Sequence, residues 1–354
     1  MSAQTPNLAA VLKAPGEKMT VEERKIPSPG PNQVVIRNHA IAMNPIDWKR
    51  QAWNVLIPTY PVVLGSDVSG EIAKVGANVT LLKPGDRVLG YAFSFLTQND
   101  DEAAFQTYTV VESHRVTKIP DSISFNAAAT LPQGVGAAAL TLFDVLALPL
   151  PTGPRFSDAS IAADSAASKN ALLIWGASSS VGFQTVQMAR KIGITVFAAA
   201  GEKHHGILKS LGVAGIVDYK SKTAAEEILK LAQDAGKQIT YVLDAITTAE
   251  TVETVREVLS KGQRTRKFAY LMFWPEGVEP IQGVWAEHVP GEDMGDRRDD
   301  LARWLFKEAL PAWLEDGSIQ MLPQQVVEGG LGGVQNALDI LQKGVSLQKV
   351  VVEI

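Results

Sequence analysis

The chain has 354 residues, with 33 Lys and Arg against 38 Asp and Glu and a formal net charge of -5. That length suits two domains, and that charge gives no electrostatic reason to expect nucleic acid or an anionic membrane as partner. There are no cysteines, which removes disulfides, thiolate nucleophiles and every cysteine-ligated zinc site. No apolar run reaches membrane-spanning length, and the first residues lack the basic start and long apolar core of a signal peptide. The cytoplasm is therefore the expected location.

Short β-type segments come first, at Ala9–Leu12, Gln33–Ala42, Glu71–Val75, Arg87–Tyr91 and Thr107–Val111. Gly, Pro, Asn and Asp separate them, and close strand spacing with turn chemistry predicts a small barrel or sandwich. Pro84-Gly85-Asp86 is one such turn, where proline presets φ and glycine takes the unusual conformation. Residues 150–170 have no apolar periodicity and read as an exposed, flexible insertion.

The stretch Ala171–Gly193 organises the rest. Ala171–Trp175 suits a buried parallel strand, the small residues from Gly176 to Gly182 suit a turn, and a helical pattern follows from Phe183. In such a unit a pyrophosphate approaches the backbone and meets the free N–H groups and positive end of the helix. Strict G-x-G-x-x-G is not met, because Ser178 and Val181 stand at two glycine positions. On this stretch alone a plain strand–helix turn is the alternative. The following units repeat the alternation. Ile194–Ala199, Gly215–Asp218, Ile239–Asp244 and Lys267–Phe273 read as strands, and Gly201–Leu211, Ala224–Ala235 and Thr248–Leu259 as turn and helices. This implies a right-handed parallel sheet covered on both faces, with a ligand beyond the carboxyl ends of its strands. Trp274–Asp300, which carries Trp274, Trp285, Met294, Arg297 and Arg298, is either a sheet-edge excursion or a lid or face for a bulky substrate. Leu301–Trp313 and Leu331–Leu341 have apolar positions at helical spacing and read as packing helices.

Several motifs carry a resemblance. The run from Pro61 to Gly70 (PVVLGSDVSG), then Val75-Gly76 and Pro84-Gly85-Asp86-Arg87-Val88, resembles the catalytic-domain signature of the medium-chain dehydrogenase/reductase superfamily. Asn44-Pro45-Ile46-Asp47 and Ala104-Phe105-Gln106-Thr107-Tyr108 are similar to its quinone-reductase and enoyl-reductase branches, and Lys349-Val350-Val351-Val352 to its last strand. Leu148-Pro149-Leu150-Pro151, Asp244-Ala245-Ile246-Thr247 and the segment 274–300 resemble fungal trans-acting enoyl reductases, which serve polyketide synthases lacking a working reductase domain. The resemblance implies an α/β protein. A GroES-like β-barrel catalytic domain would span 1–130 and a Rossmann doubly wound parallel-sheet domain 131–298, with a flexible insertion at 151–169. A C-terminal segment, 299–354, would return to the catalytic domain. It further implies a small-molecule or carrier-bound acyl substrate, a polyketide synthase as partner, and a monomer or homodimer.

Zinc-dependent members need Cys or His ligands. Here Met43 and Asn44 stand at the first cysteine's place, and Gly65-Ser66-Asp67 where a histidine is usual. His39, His114, His204, His205 and His288 offer no spaced ligand pair, so no metal is expected. Alcohol oxidation without zinc loses its Lewis acid. Reduction of an electron-poor C=C bond needs donors for the charge that develops on the carbonyl oxygen. Asn44 and Lys49 are the available donors, and the resemblance places the Asn-Pro-x-Asp stretch beside the nicotinamide ribose and Lys49 in the active site. Lys49 also reads as a solvated lysine, and Asp47 as a helix N-cap. Ala137 stands where such enoyl reductases tend to carry a hydroxyl residue, with Thr141 one turn on as a substitute.

The second strand ends Ala198-Ala199-Ala200-Gly201, without an acidic residue for a ribose 2′-hydroxyl. Small residues followed by Lys203 fit a 2′-phosphate, and Glu202 is the contrary residue. The expected cofactor is NADPH. The expected contacts are Asn44, Pro45, Ile46 and Asp47, then Ser178, Ser179, Ser180 and Val181 at the pyrophosphate, and Gly201, Lys203 and His204 near the adenosine. The resemblance adds Tyr219 on that side, and Leu271, Leu347 and Gln348 complete the set. The leading expectation is an NADPH-dependent reductase delivering hydride to the β-carbon of an α,β-unsaturated carbonyl, enoyl thioester or enone. A quinone or aldehyde reductase of the same superfamily is one alternative. A nucleotide-binding scaffold without turnover is another, kept open by Ala137.

Overall fold

The computed structural model describes residues 5–151, 169–261, 266–294 and 297–354. Most of the insertion expected at 151–169 lies outside them. The chain divides into two compact units, residues 1–133 with 295–354, and residues 134–294.

The first unit is made of short strands: β1 (Asn7–Leu12), β2 (Thr20–Arg24), β3 (Gln33–Ala42), β4 (Val62–Val63), β5 (Asp67–Val75), β6 (Arg87–Tyr91), β7 (Tyr108–Glu112) and β8 (Val116–Lys118). β3 is the central one. Its Val34, Val35, Ile36, Ala40, Ile41 and Ala42 are all fully buried, and it pairs antiparallel with both β5 and β7. Apolar residues from several strands, Ile36, Ile41, Val68, Ile72, Val88 and Val111 among them, share one core with Phe105 from the loop before β7. β3 runs directly into the helix Pro45–Trp53. Pro45 suits its first turn, where an N–H would find no partner, and Asn54 ends it with φ +52°.

The second unit holds β9 (Asn170–Trp175), β10 (Thr195–Ala199), β11 (Gly215–Val217), β12 (Gln238–Asp244), β13 (Arg266–Tyr270) and β14 (Val284–His288). These pair parallel throughout, in the order β11-β10-β9-β12-β13-β14, which is the doubly wound arrangement. Ala171–Trp175 of β9 are all buried, as a strand covered on both faces must be. Helices Ser180–Lys191, Ala224–Asp234 and Ala249–Ser260 connect the strands. Two expectations change here. The strand expected over Lys267–Phe273 stops at Tyr270: the Leu271 N–H closes the ladder on Asp244 O at 3.3 Å, and the Met272 N–H then goes to the Thr247 side chain instead of a strand. The segment 274–300 contributes a sixth strand, β14, on the sheet edge, so part of it is the edge excursion.

The chain then returns to the first unit. Where one helix is expected over Leu301–Trp313, the structure has Asp299–Arg303 and Leu310–Glu315 with a wide π turn, Trp304–Ala309, between them. Pro311, which has no N–H to donate, sits just after that turn. β15 (Gln324–Val327) pairs parallel with β16 (Lys349–Glu353), and β16 pairs antiparallel with β3. The helix between them, Val334–Lys343, buries Val334, Ala337, Leu338 and Leu341 on one face. No helix among the described residues is long and apolar enough to cross a membrane.

Candidate functional site

In the barrel unit the polar centre forms where β3, β5 and β16 meet. Asn44, at the end of β3, donates from Nδ2 to Asp67 Oδ2 at 2.9 Å. Lys349 Nζ lies 2.9 Å from the same carboxylate oxygen and 2.5 Å from Asn44 Oδ1. The second carboxylate oxygen of Asp67 accepts the Gln133 N–H at 2.7 Å. All three side chains are sealed from water, at 3% exposure for Asn44, 0% for Asp67 and 3% for Lys349. A buried carboxylate is tolerable there because an ammonium and two N–H groups surround it.

Asn44, rather than Asp47, is the N-cap of the helix, because Pro45 begins it. Asp47 sits three residues later and accepts the Asn44 N–H at 2.7 Å through Oδ2. Its Oδ1 is buried without a hydrogen-bond partner. Burial raises the Asp47 carboxyl to about 7, with Asp67 adding to the shift and the Asn44 N–H, Arg50 and Lys349 opposing it. Pro45 is exposed and Ile46 half-buried. Lys49 is half-buried, with its ammonium 5.5 Å from the ring centroids of both Trp48 and Trp53. Burial lowers its pKa. Asn44 thus turns toward Asp67 and Lys349 while Lys49 turns toward two indoles. Leu347 takes φ +53° ahead of β16, and Gln348 is exposed beside it.

In the parallel-sheet unit, Ser178, Ser179, Ser180 and Val181 join β9 to the helix Ser180–Lys191. Ser179 is its N-cap and accepts the Gly182 N–H at 3.0 Å, and Phe183 N donates to Ser179 O at 2.8 Å. The first-turn N–H groups of Ser180 and Val181 are then the ones without an intrahelical carbonyl. Ser180 Oγ is buried without a partner. Gly176 takes φ +77°, and a Cβ on Gly182 would stand 2.4 Å from Gly176 O. A tight turn, free amides and an orphaned hydroxyl fit the pyrophosphate of a nicotinamide dinucleotide.

Beyond β10, Gly201 precedes a 3-10 turn, Glu202–His204. Lys203 is exposed on it, whereas His204 is buried. Burial and then the Lys203 charge hold the His204 pKa below its usual value. Tyr219 is 49% exposed, and a Cβ on Gly201 would stand 3.6 Å from its ring. Lys220 lies 5.8 Å from the Tyr219 ring centroid, a second cation near these strand ends that sequence reasoning passed over. Leu271 is held by its N–H to Thr247 Oγ1 at 3.2 Å, in a loop that Asp244 ties together by accepting the Ile246 and Thr247 N–H groups at 2.9 Å each. Thr141 cannot stand in for the hydroxyl missing at Ala137. It is fully buried and donates its proton to Ala137 O at 2.8 Å.

Sequence reasoning also missed Asp67 and Lys349 as site residues. The one signal was a charged residue opening an otherwise apolar strand, Lys349-Val350-Val351-Val352. The donor set does not fit zinc. Among the described residues, no group of three or more His, Asp or Glu side chains could hold a metal ion.

Residues 30–121 match the family described as alcohol dehydrogenase GroES-like domain, and residues 180–272 the one described as zinc-binding dehydrogenase. A trans-enoyl reductase of Aspergillus flavipes is 37% identical over 357 residues, covering 97% of this chain and 98% of the relative. Another, of Aspergillus japonicus, is 35% identical over 325 residues, covering 91% and 90%. Among solved structures, the CurK enoyl reductase superposes with a TM-score of 0.77 at 21% identity, over 99% of both chains. The quinone oxidoreductase of Coxiella burnetii gives 0.69 at 19%, over 98% of this chain and 99% of that one. At such identities the structures speak for the fold, a GroES-like barrel with a Rossmann sheet. The chain belongs to the medium-chain dehydrogenase/reductase superfamily of nicotinamide-dinucleotide oxidoreductases, within the group that includes the fungal trans-enoyl reductases.

Proposed function

We infer that this chain is an NADPH-dependent reductase that transfers hydride to the β-carbon of an α,β-unsaturated carbonyl, an enoyl thioester or an enone. In this reading it acts in trans on a chain carried by a polyketide synthase. The observation that carries the reading is the likeness to a trans-enoyl reductase, 37% identical over 97% of this chain. The bound nicotinamide supplies the hydride. As the new C–H bond forms, the alkene π pair moves toward the carbonyl, negative charge gathers on its oxygen, and the α-carbon then takes a proton from solvent water as the carbonyl re-forms. Hydrogen-bond donors must meet that charge, since no metal ligand set is found among the described residues. Asn44 keeps one amide N–H beyond the one given to Asp67. Lys49 is a cation whose partial burial makes its proton easier to release. Ser180 and Val181 N–H groups hold the pyrophosphate, and Lys203, supported by Lys220, favours a 2′-phosphate over a bare ribose.

The test supplies the purified protein with NADPH and, separately, a 2-enoyl pantetheine thioester, a quinone and an aldehyde. Thioester turnover with deuterium from labelled NADPH at the β-carbon is the expected result. Turnover of the quinone or aldehyde alone replaces this reading with the other reductase activity. Cofactor binding with no turnover of any of them replaces it with a scaffold.

A further inference from the structure

We propose that Lys349, together with Asp67, is a positioning residue that fixes the orientation of the Asn44 amide and so the direction of its one remaining N–H. This rests on the reading of Asn44 as a donor to the substrate carbonyl. The three side chains close a ring: Asn44 Nδ2 to Asp67 Oδ2 at 2.9 Å, Asp67 Oδ2 to Lys349 Nζ at 2.9 Å, and Lys349 Nζ to Asn44 Oδ1 at 2.5 Å. An amide can reverse end for end where its oxygen and nitrogen have interchangeable partners. Here an ammonium, which only donates, faces the oxygen, and a carboxylate, which only accepts, faces the nitrogen. Reversal would set NH2 against the ammonium and oxygen against the carboxylate.

The frame around the ring is equally constrained. Met43 N donates to Val350 O and Lys349 N to Pro323 O, both at 2.9 Å, which fixes the backbone on either side of the Asn44–Lys349 contact. The Gln133 N–H on the other Asp67 oxygen stops the carboxylate from rotating. A buried ion pair adds little net stability over apolar residues of the same volume. What this one secures is direction, the property a donor aimed at a developing charge requires.

Lys349→Met alone would strand a buried carboxylate, so the decisive variant is the neutral pair Lys349→Met/Asp67→Asn. It keeps an oxygen for the Gln133 N–H but has no cation to hold Asn44 Oδ1. Its melting temperature and NADPH affinity should stay near those of the parent, while kcat falls by about tenfold to a hundredfold, the scale of a misplaced reacting group. Lys349→Arg, which keeps the charge pair, should retain more kcat than the neutral pair. Full kcat in the neutral pair overturns the proposal. A second readout is independent of turnover. In nitrogen-15-labelled protein, the Asn44 side-chain amide protons, assigned by their loss in Asn44→Ala, should exchange slowly in the parent and fast in the neutral pair. Solvent-rate exchange in the parent overturns the positioning of Asn44 whatever the substrate. Slow exchange in a parent that reduces no enone or enoyl thioester overturns the proposed function and leaves the positioning standing.

Discussion

Asp47 accepts the Asn44 N–H through Oδ2 at 2.7 Å and keeps Oδ1 buried without a partner. Burial holds its folded-state pKa at about 7, above the ordinary 3.8. The folded chain therefore keeps a proton that the unfolded chain has released, and stability is lost as pH rises through that window. Asp47→Asn keeps an oxygen for the Asn44 N–H and cannot ionise. Denaturant titrations from about pH 5 to about pH 8 should show the parent losing stability relative to Asp47→Asn as pH rises. A constant difference across that range would mean that Asp47 does not link protons to folding.

At the turn after β9, Gly182→Ala should both destabilise the protein and weaken cofactor binding. The added methyl would stand 2.4 Å from Gly176 O and 2.9 Å from Ala177 Cα, backbone atoms that cannot swing aside. Overpacking of this kind costs about 1–3 kcal/mol. Thermal melting and NADPH fluorescence titration read the two effects. Unchanged affinity in a folded variant would move the pyrophosphate away from this turn.

Lys203 is the exposed cation at the end of β10. Lys203→Ala should cost about 1–3 kcal/mol in NADPH binding and little in NADH binding, since the lost contact is one to a charged group that NADH lacks. Parallel titrations with both cofactors decide it. Equal losses would assign Lys203 no part in choosing between them, and Lys220→Ala would then be the variant to titrate.

For Lys49, the two readings separate in kinetics. If its ammonium meets charge only in the transition state, Lys49→Ala should lower kcat by roughly 100-fold and leave NADPH affinity nearly intact. If it grips the cofactor, affinity should fall and kcat at saturation should hold. A variant unchanged in both would return Lys49 to its place against Trp48 and Trp53 and nothing more.

Local pattern made β3 and β6 readable to their end residues, and the strands β9 to β12 to within a residue or so, because buried strands are written as short apolar runs between turn residues. β2 is the opposite case. Its Thr20–Arg24 is mostly exposed and charged, and only its pairing with β1 makes it a strand. β14 lies among Trp, Gly and Pro residues and gains its identity from the edge of a sheet already formed. The tight turn between β9 and the helix Ser180–Lys191 was legible because its parts are adjacent in sequence. The Asn44–Asp67–Lys349 ring was not, since its members are separated by 23 and 305 positions and no periodicity links them. In the sequence Asn44 reads as a donor, Asp67 as part of the Gly65-Ser66-Asp67 stretch where a histidine is usual, and Lys349 as the start of a strand.

The strand that brings Lys349 to Asn44 also sets the order in which the protein can be made. Synthesis delivers β3 early, yet its neighbour β16 comes more than three hundred residues later. The parallel-sheet unit, continuous from 134 to 294, can close while the ribosome is still at work. The barrel, begun first, must wait with the Ala40–Ala42 end of β3 bare on the side that β7 does not reach, a stretch of strand edge open to pairing with another chain. Nascent protein should therefore depend most on chaperones during that interval, and truncation ahead of Lys349 should aggregate through β3 while leaving the parallel sheet able to fold.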